Sequence, residues 1–151
     1  MVNVNDVPAD KLIEELAEEL KRVPEIQPPV WASFVKTGSH ADRPPQNKDW
    51  WYVRAASIMR KVYMQGPVGI EKLESAYGGS KQVEYFPKHH RDAGSSNIRN
   101  LLKGLEKAEL VGKQGNAGRV LTPKGVALLD KVSKDIFKEL VKQNPALERY
   151  S

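Results

Sequence analysis

The sequence predicts a mainly α-helical, winged-helix-like domain with a small two-stranded β-hairpin as its wing. Two observations lead to this prediction. Apolar residues recur at helical spacing in several segments that proline and glycine separate. A glycine-rich turn between two short β-type runs follows the fourth of these helical segments and precedes the last one. Three helices followed by a hairpin is a winged-helix order, which indicates a fold and not yet a function.

Length and composition limit the class of protein. The chain has 151 residues and a mass of 16.9 kDa, which predicts one domain over residues 1–151. The absence of cysteine excludes disulfides, thiolate metal sites and a cysteine nucleophile, and it favours a reducing compartment. There is no long apolar run, and the first 20 residues are acidic. We therefore expect a cytoplasmic protein with no membrane span and no secretory signal.

The net charge of +5 is unevenly distributed along the chain. Residues 1–29 have a net charge of −4, whereas residues 30–122 have a net charge of +7. A basic centre beside an acidic amphipathic end indicates a surface that binds a polyanion. Ordinary solvated lysines produce the same composition, so charge alone leaves nucleic-acid binding open.

The first helix is predicted to begin at Asp6 and Pro8 and to end at Val23, because a residue before proline is disfavoured in a helix. Its apolar stripe comprises Leu12, Ile13, Leu16 and Leu20, and its outer face comprises Glu14, Glu15, Glu18 and Glu19. Residues 28–31 are predicted to start an extended stretch in which Trp31, Phe34 and Val35 supply apolar mass. Residues 38–48 contain two prolines and no periodicity, so they are predicted to form a loop.

The second helix is predicted to start at Asp49, a favourable N-cap, and to stop at Gly66. It is apolar around most of its circumference, which predicts a central, buried helix that contains Trp50 and Trp51. The polar stripe that remains comprises Arg54, Ser57, Arg60 and Lys61. Burying the charge of an arginine costs free energy unless an anion neutralises it. The geometry of a guanidinium group suits bidentate hydrogen bonds to phosphate oxygens. The alternatives are ion pairing with the acids of the first helix, or simple solvation.

A short helix is predicted over residues 68–77, followed by a basic loop. This loop contains Lys81, Lys88, His89, His90 and Arg91 and leads into a helix over residues 95–108, capped by Ser95 or Ser96. The N–H groups at a helix N-terminus favour phosphate, and Arg99 and Lys103 extend the same side. Asn97 is expected to face outward. A mobile basic loop with a routine serine cap is the alternative.

The wing is predicted from Leu110 to Leu121, around a turn at residues 115–118. Arg119 flanks this turn, so the wing could contact a nearby backbone, although a solvated hairpin is the more common case. Thr122 as N-cap and Pro123 at the first helical position start the last helix, which ends at Asn144.

No arrangement of side chains predicts catalysis or metal binding. His89 and His90 are adjacent and therefore point apart, and no cysteine or second spaced histidine supports them as metal ligands. The glycine-rich turn lacks the lysine and hydroxyl ending of a phosphate-binding loop. No nucleophile, base and orienting group are recognisable together. We therefore predict no catalytic residue, no cofactor and no metal, and an RNA-processing enzyme has no support.

Several runs resemble the archaeal and eukaryotic S19e family of small-subunit ribosomal proteins. They are Asp-Trp-Trp-Tyr-Val-Arg-Ala-Ala-Ser at residues 49–57, Tyr-Gly-Gly at 77–79 and Gly-Arg-Val-Leu-Thr-Pro-Lys-Gly at 118–125. The resemblance covers roughly residues 5–145, and Trp51 stands where phenylalanine is expected. It implies a helical core related to the winged helix, placed on ribosomal RNA in the subunit head beside other ribosomal proteins. It further implies that Arg54, Arg60 and Arg99 match RNA-facing basic positions, and that assembly and rRNA maturation depend on the protein.

The sequence as a whole predicts a non-enzymatic rRNA-binding protein that is a monomer within the ribosome. The predicted RNA-binding residues are Arg54, Ser57, Arg60, Lys61, Lys88, Arg91, Arg99, Lys103 and Arg119. The alternative is a winged-helix DNA-binding transcription regulator that reads duplex DNA with the helix at residues 95–108. Such a regulator needs a dimer to bind a site with two halves.

Overall fold

In the computed structural model, which describes residues 2–150, five α-helices and two β-hairpins follow one another along the chain. The helices are α1 (Ala9–Lys21), α2 (Trp50–Gln65), α3 (Ile70–Tyr77), α4 (Ser95–Lys107) and α5 (Pro123–Gln143). The antiparallel hairpins are β1 (Gly79–Lys81) with β2 (His89–Arg91), and β3 (Val111–Gln114) with β4 (Gly118–Leu121). Short 3-10 helices span Val4–Asp6, Pro24–Ile26, Val30–Ser33 and Pro145–Tyr150. The predicted mainly helical, winged-helix-like fold is confirmed.

Helix α2 lies at the centre of the apolar core, as its sequence predicts. Seven of its residues are buried, and α1, α4 and α5 all pack against it. The leucines of α1 are fully buried against this core, while the glutamates at positions 14, 15 and 18 are exposed. Trp50 and Trp51 are both buried, and the Trp50 indole Nε1 donates a hydrogen bond to the Ala32 carbonyl at 3.2 Å. Within residues 2–150, no helix is both long and apolar enough to cross a lipid bilayer.

The winged-helix unit consists of α2, α3, α4 and the β3–β4 wing. Helix α4 packs against α2 and α3, and it leads directly into the wing. The wing returns to the connection between α2 and α3, where Val68 and Arg119 exchange two backbone hydrogen bonds of 3.0 and 2.9 Å. Thr122 Oγ1 accepts a hydrogen bond from the Gly125 N–H at 3.2 Å, which confirms the predicted cap of α5.

Three predicted details of the helix starts are wrong, two of them because a tertiary contact replaces a local one. Asp49 does not cap α2, since its carboxylate accepts a hydrogen bond from Lys21 Nζ at 2.8 Å. Neither serine caps α4: Gly94 holds the cap position, and no side chain bonds to the free N–H groups. Asn97 is buried rather than outward, and its amide donates to the Lys36 carbonyl at 3.5 Å.

The segment between α1 and α2 also differs from its prediction. Residues Val30–Ser33 form a 3-10 helix rather than an extended stretch. Phe34 is 77% exposed, so it contributes little to the core. Trp31 is 36% exposed and packs edge to face on Trp51, with ring centroids 5.8 Å apart. Aromatic residues in this segment therefore face the surface.

The basic loop predicted between α3 and α4 contains the β1–β2 hairpin, which the sequence analysis does not predict. We call it the second hairpin, to distinguish it from the β3–β4 wing. Its register pairs Gly79 with Arg91, Ser80 with His90, and Lys81 with His89. Each strand has three residues, too few for the alternation of polar and apolar residues by which a strand is recognised in sequence. Arg91 is the last residue of β2, and Lys88 immediately precedes this strand.

Candidate nucleic-acid interface

Three side chains of the polar stripe of α2 contact one aromatic residue, Tyr77. Helix α3 ends at Tyr77 and lays its ring across α2, with Arg54 Cζ 4.1 Å and Lys61 Nζ 5.4 Å from the ring centroid. The Tyr77 hydroxyl donates a 2.7 Å hydrogen bond to Ser57 Oγ. A cation over an aromatic face is attracted by the negative π surface. Three of the four predicted stripe residues thus meet around Tyr77, which belongs to a run that resembles the family but is not among the predicted RNA-binding residues.

Burial changes the ionisation of this cluster without removing its charge at neutral pH. Burial lowers the pKa of Arg54, but a guanidinium remains protonated in proteins. Burial also raises the pKa of Tyr77, while its hydrogen bond with Ser57 and the nearby Arg54 charge act in the opposite direction. Tyr77 is therefore a neutral donor at pH 7, and Arg54 is a positive charge with no neighbouring carboxylate within residues 2–150.

Arg60 also carries an uncompensated charge. Its Nε atom is buried and has no hydrogen-bond partner among the described residues. A buried donor without an acceptor costs free energy, so the Nε atom of Arg60 contributes no hydrogen bond to the described part of the fold.

The acids of α1 do not neutralise the arginines of α2. Lys21 pairs with Glu18 at 2.6 Å and with Asp49 at 2.8 Å, and Arg22 pairs with Glu19 at 3.3 Å. The hydrogen bonds to Asp49 and Glu18 raise the pKa of Lys21. The alternative that the first helix supplies the partners of Arg54 and Arg60 is therefore wrong.

The predicted cations outside α2 fall into two groups. Arg99 and Lys103 on α4, and Lys88 and Arg91 at the second hairpin, are exposed and have no carboxylate partner within residues 2–150. Arg119 differs from them. Its Nε donates to Glu106 Oε1 at 3.0 Å, and the two side chains are only 19% and 26% exposed. This ion pair fixes the wing to α4, and Arg119 is therefore not part of the proposed interface.

Three neighbouring grooves connect the stripe of α2 with the exposed face of α4. The first, of 420 Å³, is lined by Arg54, Tyr77, Thr37 and Arg43 among others. The second, of 620 Å³, begins at the adjacent Lys36 and runs past the start of α4 to Trp31. A third, of 190 Å³, continues from Trp31 along α4. The surface that we call the basic track is defined by six of the lining residues, Arg43, Arg54, Lys36, Trp31, Lys103 and Lys107. Glu25 is the acid that lines its third groove.

Sequence reasoning missed the contribution of residues 36–43 to this track. Their position depends on a long-range contact, in which the Gly94 N–H donates to the Thr37 carbonyl at 2.8 Å and Gly38 forms a β-bridge with Ala93. The sequence shows the positive charges of this loop, but no local sequence pattern indicates which helix the loop packs against. Among residues 2–150, no group of three or more histidine, aspartate or glutamate side chains is placed to hold a metal ion.

Comparison with known proteins gives a consistent result across the chain. The family model described as Ribosomal protein S19e matches residues 3–139. The chain is 50% identical over 152 residues to Small ribosomal subunit protein eS19 of Aeropyrum pernix, covering 99% of both chains. The protein of that name from Thermoplasma acidophilum is 44% identical over 151 residues, again covering 99% of both. Small ribosomal subunit protein eS19A of Schizosaccharomyces pombe is 39% identical over 138 residues, which cover 91% of this chain and 96% of that one.

Proposed function

Because the chain belongs to the ribosomal protein S19e family, we propose that it is a non-enzymatic component of the small ribosomal subunit that binds ribosomal RNA. Its proposed partners are the rRNA of the subunit head and neighbouring ribosomal proteins, on ribosomes in the cytoplasm. We further propose that it supports subunit assembly and rRNA maturation. The family resemblance predicted from the sequence is confirmed.

One observation carries the RNA-binding part of this proposal. The predicted cations Arg54, Arg60, Lys61, Lys88, Arg91, Arg99 and Lys103 have no carboxylate partner within residues 2–150. By contrast, both basic residues at the end of α1 are paired. Unpaired cations lower their free energy when phosphates neutralise them, because bound counterions are released.

The alternative of a DNA-binding regulator rests on the order of elements and on the exposed face of α4. That face carries Arg99 and Lys103, which suit a phosphate backbone of either nucleic acid. The named relatives are proteins of the small ribosomal subunit, which favours folded RNA over duplex DNA as the partner.

Co-sedimentation distinguishes the two functions. The purified chain is added to ribosomal subunits that lack it, and the mixture is separated on a sucrose gradient. We expect the chain to migrate with the small subunit and to crosslink to its rRNA through α2 and α4. A free dimer that prefers one DNA duplex to this rRNA would contradict the proposal.

A further inference from the structure

The tip of the second hairpin carries exposed aromatic rings that neither the core nor the basic track uses. Tyr85 is 100% exposed and Phe86 is 66% exposed, and Val83 beside them is 46% exposed. Large apolar side chains grouped at one exposed point of a folded protein usually mark a site of interaction. These rings make no ring–ring or cation–ring contact within residues 2–150.

The hairpin that carries the tip is anchored at its base. Gly79 at the start of β1 lies against the His40 ring, so close that an added Cβ would come within 2.9 Å of it. Just after β2, the Ala93 N–H donates to the Glu74 carbonyl at 3.0 Å. At the tip, the Phe86 N–H donates to the Val83 carbonyl at 3.1 Å, which closes a turn. The base is fixed to the domain, and the rings project beyond it.

One face of this ribbon is basic. Residues paired across an antiparallel ladder share a face, so the register places Lys81, His89 and Arg91 on the same side. Lys81 and Arg91 have no carboxylate partner among the described residues. The nearby Asp92 pairs with His90 at 3.3 Å. Glu84 is the acid within the turn itself, which disfavours a phosphate at the extreme tip and leaves the rings to make the contact there.

This combination of chemistry suits unpaired nucleotides. Bases that are not in a helix stack on aromatic rings with little regard to sequence, while cations alongside hold the backbone. Bases inside an RNA duplex are already stacked and are not accessible to such rings. An apolar pocket on a protein partner would bind the rings, but it would provide no anionic partner for the unpaired cations on the ribbon.

We propose that the second hairpin is a separate RNA-binding element whose tip stacks Tyr85 and Phe86 on unpaired bases of ribosomal RNA, while Lys81 and Arg91 contact the flanking phosphates. This inference rests on the proposed rRNA-binding function and identifies the class of nucleotide that the hairpin recognises. The site is distinct from the basic track, which contains no residue of the hairpin tip.

The test compares two probes, a short unpaired RNA of mixed sequence and the duplex that it forms with its complement. In the full chain, each stacked ring should contribute about tenfold to the affinity for unpaired RNA, equivalent to about 1.4 kcal/mol. The double variant Tyr85→Ala, Phe86→Ala should therefore bind the unpaired RNA about a hundredfold more weakly. Binding to the duplex should change less than about twofold. Tyr85→Phe should retain nearly all affinity, because stacking needs the ring and not the hydroxyl.

Tyr150→Ala is the matched control, since Tyr150 is a 73% exposed aromatic residue remote from the hairpin in sequence, and it should alter binding to neither probe. Unchanged affinity of the double alanine variant for unpaired RNA would overturn the proposal, as would an equal loss on both probes. A variant that binds both probes normally but no longer joins small subunits would show that the tip docks on a protein, which also overturns it. If the parent chain itself binds neither RNA nor subunits, the proposed function fails as well.

Discussion

A chain in which Arg54 and Lys61 are both replaced by glutamine is expected to bind small-subunit rRNA at least about a hundredfold more weakly than the parent. Each charge-assisted hydrogen bond contributes roughly 1.5–3 kcal/mol, so two lost contacts account for this factor. Both cations lie against Tyr77 and have no carboxylate partner within residues 2–150. Affinity is measured by filter binding at one fixed salt concentration.

The control for this variant removes the same charge elsewhere. Arg22→Gln and Lys138→Gln together eliminate two cations that are 76% and 75% exposed and are paired with Glu19 and Asp135. We expect this control to lose only a few-fold in affinity, because long-range attraction between exposed charges is screened by salt. An equal loss in both variants would mean that RNA responds to net charge and not to the α2 stripe.

Replacing Gly118 by alanine is expected to lower the free energy of unfolding by about 3 kcal/mol or more, through backbone strain and steric overlap together. Gly118 has a φ of +124°, and an added Cβ would lie 2.6 Å from the Val68 carbonyl carbon. The overlap falls at the β-bridge that holds the wing to the connection between α2 and α3. For a chain of this length, the expected fall in Tm is roughly 6–12 °C, measured by thermal circular dichroism.

Gly115→Ala, in the same turn, separates strain from overlap. Gly115 has a φ of +50°, but nothing lies within 4 Å of an added Cβ. Its cost should therefore be about 1 kcal/mol, or a fall in Tm of roughly 2–4 °C. Similar losses in the two variants would show that the added Cβ at residue 118 is accommodated beside Val68 without a steric cost, which contradicts this prediction.

The sequence predicts most of the fold because the helices carry strong periodicity. The apolar stripe of α1, the central position of α2 and the Thr122 cap of α5 all follow from local patterns that the folded chain retains. Asp49 shows the limit of this approach. Its side chain is a favourable cap by type, yet it pairs with Lys21, which lies 28 positions away along the chain.

Only the part of the candidate site that lies on one helix follows from local sequence patterns. Helical spacing groups Arg54, Ser57 and Lys61, since residues three and four apart share a face. The ring that they meet, Tyr77, lies 20 positions after Ser57, and no local pattern connects the two. The pairing of Arg119 with Glu106 is equally invisible from sequence spacing, because it depends on how the wing folds back onto α4.

The salt dependence of rRNA binding tests most directly whether phosphates neutralise these cations. With seven phosphate contacts at about 0.7–0.9 released counterions each, the plot of log K against log salt concentration should have a slope of about −5 to −6. Replacing Arg54 and Lys61 by glutamine should reduce the steepness of this slope by about 1.4–1.8. A nearly flat plot, or a slope that these two substitutions leave unchanged, would contradict the account.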